Sequence, residues 1–197
     1  MNFRGCVLGG VVALASVAMA SDEVSLPVNT DTRRPHYYFN IFGGQSALIL
    51  GSEDRRVGIG VGLGWGRPEP RFTFKKVKAE LVYSVYYDHT GSRGASGEGP
   101  NQVESLGFLV YARYAASVSK KLGYYVNVGL GLQYSNQQTV DLSSKINSTP
   151  MLGVGLTWDT SNGEASLGLG LLHISNAGTV PPNQGQNQVY LMYGWRF

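Results

Sequence analysis

The 197-residue chain carries Lys+Arg 16 against Asp+Glu 13, a formal net charge of +3 that is too mild to argue for a nucleic-acid partner. Its one cysteine, Cys6, lies in the first apolar stretch, so the rest of the chain has no thiol for a disulfide, a thiolate metal site or a cysteine nucleophile. The 27 glycines and 12 tyrosines favour strands over helices, and a mean hydropathy of −0.10 suits a sheet with one apolar and one polar face.

The chain opens with a positive charge at Arg4, continues through an apolar centre from Cys6 to Val17 and reaches Ala18-Met19-Ala20 before polar Ser21-Asp22-Glu23. This order predicts a cleaved secretory signal peptide over 1–20 and a single domain over 21–197. No segment approaches the roughly 20 consecutive apolar residues that a spanning helix needs. A membrane location therefore requires strands.

Eight segments alternate with a period of two, over roughly 36–50, 55–66, 72–88, 104–119, 122–134, 150–159, 164–175 and 187–197. In the first, Gly43-Gly44 interrupts the alternation and predicts a bulge or bend. In the second, Ile59, Val61, Leu63 and Trp65 alternate with glycine at 58, 60, 62 and 64, a pattern that a helix would scatter around its circumference. The third and fourth place Lys78, Glu80 and Arg113 on the face that carries glycine elsewhere. In a membrane barrel that polar, small-residue face is the lumen. The connections after the third, fifth and seventh segments are long and polar, whereas those at Lys120-Lys121 and from Thr160 to Gly163 are tight turns. Long loops at one end and short turns at the other, with a closing strand of alternating aromatics ending at Phe197, predict an all-β fold: an eight-stranded antiparallel transmembrane β-barrel of the bacterial outer membrane. The glycine-rich stretch from 58 to 66 is read as lumenal packing rather than a nucleotide loop, since no helix follows it.

Strand parity puts His173 and Ser175 on the lipid face with Leu167, Leu169 and Leu171, at the outer-leaflet end of the seventh segment. A His and a Ser on one face can act as base and nucleophile, and polar groups turned toward lipid need a reason. The run His173-Ile174-Ser175-Asn176-Ala177-Gly178, followed by Asn183-Gln184-Gly185 and the aromatic closing strand, resembles the lipid A 3-O-deacylase (PagL-like) family of outer-membrane barrels. The resemblance is strong over the last 25 or so residues and architectural elsewhere. It implies hydrolysis of the ester-linked 3-hydroxyacyl chain of lipid A, with Ser175 as nucleophile and His173 as general base. Asn176, Ala177, Gly178 and Asn183 become candidates for oxyanion stabilisation or site geometry.

One position departs from the family pattern. Where well-known members carry a Glu, fourteen positions after the His, this chain has Asn187, whose parity also faces lipid. Its amide oxygen can orient the imidazole but offers no negative charge. No Asp or Glu follows Glu164, so any carboxylate beside the site must come from the loops, at Asp141, Glu53 or Asp54. On sequence grounds alone, Asn187→Glu is expected to accelerate the reaction. The resemblance implies no cofactor and no metal. It implies lipid A or lipopolysaccharide as substrate, in outer-membrane lipid; Phe197 preceded by alternating aromatics resembles the signal that the outer-membrane assembly machinery recognises, and a homodimer is left open. The competing reading is a catalytically weak or inactive outer-membrane barrel with a structural or lipopolysaccharide-binding role. A soluble periplasmic barrel would instead need the apolar faces turned inward.

Overall fold

The computed structural model describes residues 35–74, 77–93, 101–181 and 183–197; the predicted signal peptide lies outside them. Among the described residues nine strands form: β1 (His36–Ser46), β2 (Arg56–Phe74), β3 (Val77–Ser92), β4 (Gln102–Ser117), β5 (Leu122–Ser135), β6 (Ile146–Ser148), β7 (Met151–Thr160), β8 (Gly163–Ile174) and β9 (Gln186–Arg196). Each of the long strands pairs antiparallel with its neighbour, and pairing of β1 with β9 closes the ring. β6 is the outward continuation of β7. It meets β5 in the register that β7 sets, from Gly129↔Met151 to Leu132↔Ser148. Pro150 sits in the break between them and has no N–H for the ladder. The result is a closed eight-stranded antiparallel barrel.

The alternation read from the sequence decides which side faces out. Ile59, Leu63, Leu130, Leu132, Leu156, Leu167, Leu169 and Leu191 are exposed on the outer surface, as a lipid solvent requires. The lumen is filled rather than open. Arg113 is buried with its guanidinium 3.8 Å from the Tyr125 ring centre and 5.7 Å from that of Tyr38. Glu164 lies 3.8 Å from Arg113 and 3.2 Å from Arg196, while Tyr38 donates to Glu80 at 2.6 Å. These contacts plug the half of the lumen nearer the short turns. Above them, Tyr86, Tyr111, Leu109, Met151 and Tyr190 line a cavity of about 50 Å³.

The first strand ends at Ser46 rather than at 50, and the structure corrects three further readings. β1 carries no bulge at Gly43-Gly44: the pairs Gly43↔Ile59 and Gly44↔Gly58 keep the register on one side, and Gly43↔Leu191 and Gly44↔Tyr190 on the other. Gly44 is instead a close approach, where a Cβ would collide with the Val189 carbonyl and Tyr190. β2 runs on to Phe74 despite Pro68 and Pro70. Among the described residues β1 reaches no further than Gly66, so on that side the rest of β2 has no partner and a missing N–H there costs no ladder bond. The register shift between Glu69 and Thr73 absorbs the irregularity. Finally, residues 146–148, expected in a loop, join the wall as β6. The long loops and the end of β8 share one rim, opposite the rim where Tyr37 and Phe197 exchange backbone hydrogen bonds at 2.9 and 3.0 Å.

Candidate active site

β8 carries its leucine row straight up to His173 and then to Ser175, one residue past the strand end. Two neighbours meet them. On β9, Asn187 lies directly across the ladder from His173. On β6, Ser148 bridges to Ser175, donating its N–H to the Ser175 carbonyl at 2.7 Å and accepting from Ser175 N–H at 3.1 Å. The position that parity assigned to Asn187 is therefore a contact: His173 Nδ1 and Asn187 Oδ1 are 2.8 Å apart. Asn187 Nδ2 donates to the Ile49 carbonyl at 2.8 Å. A carbonyl can only accept, so the NH₂ must face Ile49 and the oxygen must face the ring. Nδ1 is thus the protonated nitrogen and Nε2 keeps its lone pair.

Ser175 is buried and its Oγ stands 3.4 Å from Ser148 Oγ. Ser148 Oγ itself donates to the Ser175 carbonyl at 2.9 Å. Among the described residues no hydrogen bond joins Ser175 Oγ to His173. The far edge of the imidazole packs on Gly185. A Cβ there would lie 2.8 Å from Cε1 and 3.4 Å from Nε2, and the backbone has φ +71, so the position suits glycine on two counts.

The residues after Ser175 form a turn with Ala177 at φ 54 and Gly178 at φ 78. Asn176 N–H donates to Asn183 Oδ1 at 3.1 Å, and Asn176 Nδ2 donates to the Val180 carbonyl at 2.6 Å and to Ser143 Oγ at 3.3 Å. Gly178 N–H returns to Asn176 Oδ1 at 2.9 Å. Among the described residues the Ala177 N–H and the Asn183 amide nitrogen have no acceptor, and both residues are exposed at the turn.

The loop carboxylates go elsewhere. Asp141 accepts from Ser52 Oγ at 2.7 Å, Glu53 N–H at 2.9 Å and Asp54 N–H at 3.0 Å, while Asp54 pairs with Arg56 at 3.2 Å. Among the described residues none of these carboxylates pairs with His173. Sequence reasoning missed Ser148, which it placed in a loop, and the Ile49 carbonyl, which no side-chain pattern can announce.

Comparison with known proteins supplies the deciding observation: the sequence profile of a family described as lipid A 3-O-deacylase (PagL) matches residues 56–196. The chain belongs to this family. Its fold matches the crystal structure of the outer membrane enzyme PagL with a TM-score of 0.65 at 20% identity, over 80% of this chain and 97% of that one. The crystal structure of Neisserial surface protein A matches with a TM-score of 0.54 at 15% identity, over 82% of this chain and 95% of that one. No curated protein sequence matches significantly. Membership places the barrel in the outer membrane, which agrees with its apolar outer wall.

Proposed function

We propose that this family member is a serine ester hydrolase that removes the 3-O-linked hydroxyacyl chain of lipid A at the outer leaflet. The observation that carries the reading is the 2.8 Å contact between His173 Nδ1 and Asn187 Oδ1, on the lipid face beside Ser175. Residues two apart on a strand are separated by about 6.6 Å at Cα, so rotation of Ser175 away from Ser148 brings Oγ toward Nε2. Catalytic hydrogen bonds are commonly loose before substrate binds. Ser175 Oγ then attacks the acyl carbonyl carbon while His173 Nε2 takes its proton. The proton passes to the departing sugar 3-oxygen, leaving an acyl ester on Ser175. Water, deprotonated by the same nitrogen, attacks that ester, and the proton passes to Ser175 Oγ as the 3-hydroxy fatty acid leaves. The Ala177 N–H and the Asn183 amide are the free donors for the oxyanion, whereas Asn176 and Gly178 shape the turn that presents them.

The missing negative charge lowers the rate without abolishing the chemistry. In a serine protease, exchanging the triad Asp for Asn costs about 10⁴ because the amide selects the wrong tautomer. Here the amide oxygen meets Nδ1, which supports the productive tautomer. The test is mass spectrometry of lipid A exposed to the folded, detergent-solubilised protein. Loss of the 3-O-linked chain with wild type, abolished by Ser175→Ala without loss of heat-modifiable folding, is the expected result. Unchanged lipid A with wild type would favour the competing reading, a barrel that binds lipopolysaccharide without cleaving it, which the uncharged Asn187 supports. We also assign Phe197 and its aromatic strand as the feature through which the assembly machinery recognises the chain.

A further inference from the structure

A carboxylate at position 187 would present an oxygen to the imidazole whichever way it turned. An amide would not. Flipped about its last torsion, Asn187 would offer Nδ2 to His173 Nδ1, stabilise the tautomer protonated on Nε2 and leave no base facing Ser175. An amide in this place therefore needs something to fix its orientation. Ile49 supplies it, since its carbonyl accepts from Nδ2 at 2.8 Å in a position where Asn187 is fully buried.

Ile49 lies in the loop joining β1 to β2, and that loop is held from outside the site. Ala47 N–H donates to the Asn187 carbonyl at 2.7 Å. Buried Asp141, from the loop between β5 and β6, gathers Ser52 Oγ and the N–H groups of Glu53 and Asp54 at 2.7 to 3.0 Å. Between these anchors Leu50 and Gly51 adopt φ 52 and φ 93, with the Leu50 side chain exposed. A leucine holds a left-handed conformation only where its surroundings impose it. The same Asp141 accepts Gly185 N–H on its backbone carbonyl at 3.2 Å, beside the other edge of the imidazole.

We propose that Asp141 and the Ile49 carbonyl form a relay that locks the Asn187 amide and thereby sets the tautomer of His173. The relay rests on the Ser175–His173 reading of the site. It makes Asp141 a positioning residue, although it touches neither the imidazole nor the substrate. It also reverses the effect expected at position 187 from sequence alone, because a carboxylate there would face the Ile49 carbonyl oxygen with no proton between them.

The test combines kinetics and spectroscopy on the full-length barrel in detergent. Asp141→Asn should lower kcat for lipid A deacylation about tenfold with KM unchanged, and Asn187→Ala should do the same or more. The double variant should be no slower than Asn187→Ala, because both changes act through one amide. Additive losses would overturn the relay. The isosteric Asn187→Asp should be slower than wild type at neutral pH, and a faster Asp variant would overturn it too. Where Asp141→Asn fails to assemble, Asn187→Asp decides. Imidazole nitrogen NMR shifts, assigned with His36→Gln and His89→Gln, should report His173 as the Nδ1–H tautomer in wild type and as a tautomer mixture in Asp141→Asn. An unchanged tautomer in that variant would reject the relay. If Ser175→Ala still deacylates, the catalytic reading falls, while the NMR result decides the relay independently.

Discussion

At the scale of single residues, the candidate site consists of ordinary groups made specific by what each cannot do. Gly185 shows this most sharply, because it combines φ +71 with close packing on His173 Cε1. Gly185→Ala should displace the imidazole, and a displacement of about 1 Å costs on the order of 10² in rate. The initial deacylation rate of Gly185→Ala, matched for folded barrel, should fall accordingly, and an unchanged rate would mean that the ring tolerates a side chain at position 185. The dependence on Gly185 is invisible in the sequence, where the residue appears only as part of a loop motif.

At the scale of elements, β8 joins two jobs on one face. Its lower leucines meet hydrocarbon and its end toward the rim carries His173, so the candidate site is built on the outside of the wall. Leu169→Arg should obstruct assembly, since a lipid-facing Arg costs about 2–4 kcal/mol near the bilayer midplane. Refolding yield in vesicles, read by heat-modifiable gel migration, checks this, and wild-type yield would contradict a lipid-facing Leu169. β6 shows where reading by period fails. Three residues are too few to display alternation, and Pro150 signals a break. Yet the register set by β5 and β7 carries Ser148 to Ser175 regardless, because the partner strands supply the pairing that the local sequence does not announce.

At the scale of the whole molecule, stability depends on a lumen plugged with charge. Arg113 lies between the rings of Tyr125 and Tyr38 and draws on Glu164, which also serves Arg196. Removing one partner of such a buried network costs about 3–5 kcal/mol, because the remaining charge keeps its desolvation and loses its attraction. Arg113→Ala should lower the urea midpoint of the refolded barrel accordingly. Arg113→Lys should fall between, since an ammonium keeps the charge but not the planar stacking on Tyr125. Equal midpoints for all three proteins would mean that the network contributes nothing to stability.

The sequence by itself determined the barrel, its inside and outside, the position of the long loops and the sharing of one face by His173, Ser175 and Asn187. It could do so because side chains alternate strictly along a strand and the two solvents, lipid outside and packed polar groups within, leave that alternation visible. Tertiary structure alone decided what lies across each gap. The continuous path of β2 through two prolines follows from the lack, among the described residues, of a β1 partner beyond Gly66. The Ser148–Ser175 bridge follows from register, and the hold of Ile49 on Asn187 follows from a loop anchored by Asp141, 87 to 89 residues along the chain from its partners. Backbone carbonyls carry no residue code, and contacts between distant loops leave no period, so only folding the chain brings them to the imidazole.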